Sequence, residues 1–290
     1  MQSLEFVDTH VHFYDLRKTE LVYSWLQPEW VHPLIGDING IKTLVYGADQ
    51  FLSESRFSNV TKTVHVQAAL GAIDPVQETE WLESMADRTG CPNGIIAHSD
   101  LRSPDVESEL ERHVLASDRV RGIRDFGGND FLADPAWQRG YALLEKFELL
   151  CDLDCTWEEM GKARDLAQRY PNVPVVIEHA GFPRSRSDEY FRAWKGGIFE
   201  LAKAENAFCK ISGLGMLDQR WTIESLRPWV LTCIEAFGVG RSFFASNWPV
   251  DRLFSSYDAL ISAYAEIISG FSASEQVSLF SANAERFYRI

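Results

Sequence analysis

Short apolar runs alternate with segments whose apolar residues recur every three or four positions, and this rhythm repeats about eight times along the chain. The runs are FVDTHVHF (6–13), TKTVHVQAAL (61–70), GIIAHSDL (94–101), RVRGIRDF (119–126), ELLCDLD (148–154), VPVVIEHA (173–180), AFCKISGL (207–214) and SFFASN (242–247). Most are apolar at successive positions, as strands of a parallel sheet covered by helices should be. The segments between them carry helix-start chemistry. Asp74–Pro75, Ser103–Pro104 and Asp134–Pro135 each place a capping side chain before a proline, and Thr156 and Glu159 stand at capping-box spacing. Later helices are expected to begin near Ser187, Thr222, Ser256 and Ser272. Eight β/α units predict an α/β fold, a closed (β/α)8 TIM barrel filling 1–290 as one domain. A doubly wound open sheet is the alternative, but no G-x-G-x-x-G or G-x-x-x-x-G-K-[ST] recommends it. The rhythm fails only over 14–60, which is long for one β/α connection. It is expected to form a loop region near the barrel mouth, with Tyr23, Trp25 and Trp30 able to stack on a ring.

Composition narrows the class. The 290 residues are 46% hydrophobic and 12% aromatic, enough for a large core. The net charge of −14 and the absence of a basic run argue against nucleic acid or an anionic membrane as a partner. A small-molecule substrate is expected instead, and self-association stays open. Five cysteines, an odd number with no C-x-x-C pair, suit reduced thiols. MQSLEFVDTH has neither a basic nor an apolar leader region, and no apolar run approaches membrane-span length, so a cytoplasmic protein is expected.

In a (β/α)8 barrel the functional residues sit at the C-terminal ends of the strands, which turns strand assignment into a site prediction. His10 and His12 end the first strand, and side-chain alternation points them the same way. Arg124 and Asp125 end the fourth, Asp152 and Asp154 the fifth, His179 the sixth and Asn247 the eighth, while Lys210 and Ser212 lie on the seventh. Three imidazoles at 10, 12 and 179 make a plausible zinc set, although each could be a polar residue satisfied elsewhere. Arg124 is read either as binding substrate or as neutralising Asp125 or a strand-five aspartate. Lys210 is read as a substrate contact or a structural ion-pair partner. Trp248 is a further ring-stacking candidate. His65 and His98 are taken as structural, His32 and His113 as surface or loop residues, and Cys151 and Cys155 as ordinary buried thiols.

VDTHVHFYD, VHVQAALGAIDPVQETEWL, RGIRDF, VIEHAGFP, CKISGL and FGVGRSFFASNWPVD resemble, in that order, the lactonase-like branch of the amidohydrolase superfamily. The branch includes L-fuconolactonase, L-rhamnonolactonase and 2-pyrone-4,6-dicarboxylate lactonase. The resemblance implies a distorted (β/α)8 barrel with one active site at its mouth. It implies that His10, His12 and His179 contribute to that site, with or without a divalent metal such as zinc. It also implies that Arg124 holds a substrate carboxylate or hydroxyl oxygen. One position departs. Many members end strand eight with an aspartate in an S-D-W-P context, which serves as metal ligand and base; here the residue is Asn247. An amide takes no proton near neutral pH and is a weak, neutral ligand. The expected activity is opening of a small lactone, a sugar lactone or pyrone carboxylate, with a histidine or Asp154 as base. A decarboxylase of the same superfamily and a catalytically silent small-molecule-binding barrel are the alternatives.

Overall fold

The structure is a computed structural model that describes residues 4–128 and 130–290. Eight parallel strands follow one another round a barrel in chain order: β1 (Phe6–Val11), β2 (Val60–Val66), β3 (Gly94–His98), β4 (Val120–Arg124), β5 (Leu150–Leu153), β6 (Val175–Ile177), β7 (Ala207–Ile211) and β8 (Ser242–Phe244). The ring closes just past β8. His12 N donates to Trp248 O at 2.7 Å, Trp248 N donates to His10 O at 3.3 Å, and Val11 and Trp248 form a parallel bridge. Seven strands lie inside their expected runs, β2 begins one residue before its run, and all eight stop short of the run's C-terminal end. The residues left over leave the ladder and turn into the site.

A helix follows every strand: α1 (Ala48–Ser55), α2 (Val76–Thr89), α3 (Val106–Ala116), α4 (Pro135–Lys146), α5 (Met160–Arg169), α6 (Asp188–Leu201), α7 (Ile223–Phe237) and α8 (Tyr257–Ile267). Asp134, Ser187, Thr222 and Ser256 sit at the N-caps of α4, α6, α7 and α8, and the Asp134 carboxylate accepts from Ala136 N at 2.8 Å. Thr156 and Glu159 pair at 3.2 Å, but in a turn that precedes α5. The 14–60 segment is more ordered than a loop. It holds α1, a two-residue ladder of Tyr14–Asp15 with Val45–Tyr46, and turns at Ser24–Leu26 and Asn39–Ile41. Trp25 Nε1 ties it to the end of β2 through Ala68 O at 2.8 Å.

Two apolar layers support the barrel. The larger lies between strands and helices. The smaller gathers Val7, Val64, Val66, Ile96, Leu150, Val176 and Phe243 with Tyr288 of the C-terminal helix Asn283–Tyr288. Strand alternation stacks a polar layer directly on this floor: Asp152 lies two residues beyond Leu150, and Lys210 two beyond Phe208, on the same faces. His113 corrects the expectation of a surface or loop position. It is fully buried on α3, its Nδ1 2.8 Å from Thr79 Oγ1 on α2 and its Nε2 3.0 Å from His98 O. A helical pattern puts one face inward whatever the residue, and two partners there satisfy the ring. All five cysteines are free and buried. Among the described residues no helix is long and apolar enough to cross a membrane.

Candidate active site

The C-terminal ends of the strands surround a cavity of about 250 Å³ lined by His12, Gln67, Arg124, Asp154, Glu178, His179 and Asn247, with Trp25, Trp30, His32 and apolar side chains above them. Segment 14–60 therefore supplies one wall. His32, expected as a surface or loop residue, is a half-buried loop residue on that wall; its Nδ1 accepts from Leu34 N and Ile35 N.

The histidine pair of β1 has its tautomers constrained by its partners. His12 Nδ1 lies 2.8 Å from Val66 O, which can only accept, so Nδ1 carries the hydrogen and Nε2 is bare. His10 Nε2 faces that bare nitrogen at 3.1 Å. Two arrangements satisfy this contact. In one, Lys210 Nζ donates to His10 Nδ1 at 3.5 Å and His10 Nε2–H donates to His12. In the other, His10 Nδ1–H points at Glu178 Oε1, 3.3 Å away, and both bare Nε2 atoms share a cation. Two nitrogens bound tetrahedrally to zinc at about 2.0–2.1 Å stand about 3.3 Å apart, so the pair fits a divalent cation. The expected trio is not closed: among the described residues no three His, Cys, Asp or Glu side chains form a ready metal cage. The His179 ring centroid is 4.5 Å from that of His10, and its Nδ1 is engaged with Ser212 Oγ at 2.9 Å. Burial drives all three imidazoles below their ordinary pKa, His179 to about 4, so they are neutral at pH 7.

His179 and Asn247 are held in unusual backbone. Residues 179–182 all have positive φ, +50° at His179, and Asn247 has φ +59°. Non-glycine residues there cost about 1–2 kcal/mol each. Trp194 Nε1 pins the first stretch through Ala180 O at 2.7 Å. Such strain turns the strand ends inward, where the cavity uses them.

Charge is organised beneath the cavity. Arg124 Nη1 meets Glu178 Oε2 at 3.0 Å and Nη2 donates to Gln67 O at 2.9 Å. Its carboxylate partner is thus Glu178, not Asp125 or a strand-five aspartate. Asp125 instead accepts from Leu101 N, Gly127 N and Trp137 Nε1. Burial raises the Glu178 pKa, but the charges of Arg124 and Lys210 outweigh it, and the carboxylate stays ionised. Lys210 corrects its reading as a substrate contact: fully buried, it donates to Asp152 Oδ2 at 2.5 Å, below the histidines and off the cavity wall. Burial and the Glu178 charge raise Asp152. Asp154 is different. It lines the cavity, makes no side-chain hydrogen bond among the described residues, and is pushed up to about 6 by burial and Glu178.

Two further substrate candidates move away from the cavity wall. Tyr23 is buried and its hydroxyl accepts from Asp15 N at 3.3 Å; it borders a separate surface cleft with Lys18 and Lys42. Trp248 belongs to the barrel seam, its Nε1 donating to Glu54 Oε2 at 2.5 Å and its ring edge-on to Tyr257. Both departures have one cause: aromatic rings near the mouth were needed to pack segment 14–60 onto the barrel. His10 lies under His12 and outside the lining. Glu178, Gln67 and Asp251 were not singled out from sequence. The available signal was a polar residue directly at a strand end in HVQAA and VIEHAG, and the aspartate four residues after Asn247.

A barrel with its cavity at the C-terminal mouth, walled by strand-end histidines and carboxylates, defines the class: a (β/α)8 barrel with an enzyme-type site. The chain belongs to the amidohydrolase family, whose model matches residues 7–290. It is 37% identical over the full length of both chains to the uncharacterized protein y4mH of Sinorhizobium fredii. It is 28% identical to an L-fucono-1,5-lactonase of Burkholderia ambifaria, over 98% of this chain and 95% of the other. Among solved structures, an amidohydrolase from Burkholderia multivorans with bound zinc superposes with a TM-score of 0.83 at 24% identity, covering 99% of each chain.

Proposed function

We propose that this protein hydrolyses a small lactone at the barrel mouth. The observation that carries the reading is the unpaired Asp154 carboxylate on a wall whose other charged groups, Arg124 and Glu178, neutralise each other. Two relatives named L-fucono-1,5-lactonase, 28% and 25% identical across 98% of this chain, support the reaction class. Asp154 takes a proton from water, whose oxygen forms a bond to the lactone carbonyl carbon. Ser212 donates to His179 Nδ1, and His179 Nε2–H then stabilises the oxyanion that develops. As the tetrahedral intermediate collapses, the ring C–O bond breaks and Asp154 returns the proton to the leaving alkoxide. Asn247 replaces the base expected on strand eight by position, and Asp154 replaces it in function. A divalent cation, when bound, would be held by His10 and His12 and would polarise the carbonyl oxygen. The test is hydrolysis of a panel of five- and six-membered lactones, with Asp154→Asn as control. A folded enzyme that opens none of them, or that is unaffected by Asp154→Asn, rejects the proposal.

A further inference from the structure

The cavity wall is more selective than the reaction requires. Trp25, Trp30, Leu70, Phe126, Phe182 and Val250 supply its apolar surface. Most polar groups beside them are already engaged: the Arg124 Nη atoms by Glu178 and Gln67 O, His12 Nδ1 by Val66 O, His179 Nδ1 by Ser212 and Asn247 Nδ2 by Asp251. Among the described residues Arg124 is the only lysine or arginine in the lining. Apart from the proposed base Asp154 and the Asn247 carbonyl oxygen, Gln67 is the exception. Its side chain is fully buried at the end of β2, it lines the cavity, and neither Oε1 nor Nε2 has a hydrogen-bond partner. An idle buried amide is destabilising, and a ligand with a matching polar edge removes that cost.

Resting on the lactonase reading, we infer that the substrate is a compact, uncharged lactone with a largely apolar body, aromatic or short alkyl, whose single polar edge is read by the Gln67 amide. A polyhydroxylated sugar lactone would bury several hydroxyls against tryptophan and phenylalanine, more than Gln67 and the Asn247 carbonyl oxygen can pair. Each hydroxyl left over costs affinity. A dicarboxylate would need cations, and the one guanidinium present is neutralised from below by Glu178. The cavity volume, about that of eight waters at liquid density, suits one or two small rings. At 28% identity a lactonase relative shares the barrel and the chemistry, while the walls that choose the substrate are free to differ.

The experiment compares kcat/KM, each divided by the uncatalysed rate, for 3,4-dihydrocoumarin, L-fucono-1,5-lactone and 2-pyrone-4,6-dicarboxylate. The expected result is a preference of about tenfold or more for dihydrocoumarin. Trp30→Ala is expected to raise KM for it, and Gln67→Leu to lower kcat/KM about tenfold. Preference for the sugar lactone or the dicarboxylate overturns the inference and leaves the hydrolase reading standing. If no lactone is opened, the hydrolase reading fails and binding decides the inference separately. Quenching of tryptophan fluorescence by 3,4-dihydro-2-quinolinone, an unreactive lactam of the same shape, is then compared with a polyhydroxylated 1,5-lactam. Binding of the aromatic lactam alone supports the apolar cavity; binding of the sugar lactam alone, equal binding, or binding of neither overturns it.

Discussion

Asn247 Nδ2 donates to Asp251 Oδ2 at 2.6 Å, and this bond fixes which end of the amide the cavity meets. With the NH2 group turned down toward Asp251, the carbonyl oxygen is left for the cavity. Asp251 is itself buried, and burial pushes its carboxyl up to about 7 although the Asn247 bond opposes the rise. A second carboxylate at position 247 would face it at hydrogen-bond distance.

Asn247→Asp is therefore expected to make the pair share one proton in the fold. The folded-state pKa then lies further above the unfolded value near 3.8, so the native state holds the extra proton and loses stability as pH rises through the folded pKa. The urea midpoint of the variant should fall between about pH 5 and about pH 8 by the equivalent of about 2 kcal/mol more than that of the parent. Parallel pH profiles would show that the two groups do not sense each other.

In the proposed mechanism Asp154 serves as base only when ionised, and its pKa is pushed up to about 6. The kcat/KM profile on a turned-over lactone should thus rise with pH through about 6 and level above it. Asp154→Asn is expected to lower kcat/KM by about 10²–10⁴-fold and to abolish that limb. A limb that survives in the variant assigns it to another group.

Gly213 has φ +63°, and a Cβ there would lie 2.6 Å from His179 Nδ1 and 2.7 Å from Met216 Cε. Gly213→Ala should cost about 1–2 kcal/mol through backbone strain and also displace the imidazole from Ser212. Gly90, at φ +76° in the same left-handed conformation with nothing within 4 Å, isolates the strain alone. Thermal melts should show a loss for both alanine variants, the larger for Gly213→Ala. Only Gly213→Ala should depress turnover; equal activities would separate the His179–Ser212 bond from catalysis.

Removing the Glu178 charge leaves Arg124 buried and unpaired, with Lys210 3.8 Å from the same carboxylate in the parent. Glu178→Gln is expected to destabilise by about 3–5 kcal/mol. Adding Arg124→Met should recover most of that loss, because the cost comes from the orphaned cation. Denaturant titration of the single and double variants checks the non-additivity.

His113, buried between α2 and α3, has its pKa lowered to about 4 by burial. The unfolded chain takes a proton near 6.5 while the fold refuses it until about 4, so stability falls as pH drops through that window. The difference corresponds to about 3 kcal/mol. His113→Gln should be less stable than the parent at neutral pH and should show a shallower decline in urea midpoint on acidification; an unchanged slope would mean the ring titrates normally.

The sequence by itself determined the eight strand runs, the capping residues Asp134, Ser187, Thr222 and Ser256, and the strand ends from which His10, His12, Arg124, Asp154, His179 and Asn247 come. These are local properties: the period of apolar positions and short-range cap chemistry are written in consecutive residues. Which strand-end groups face the cavity emerged only from long-range packing. Lys210 and Asp152 sit at strand ends as Asp154 does, yet they neutralise each other below the floor of the site. Glu178 became the partner of Arg124 across 54 residues of sequence, and Gln67 became an idle amide in an apolar wall. Tyr23 and Trp248 were spent on packing and on the barrel seam. Such outcomes depend on the tilt of neighbouring strands and on which charge reaches which partner first, and no spacing along the chain encodes them.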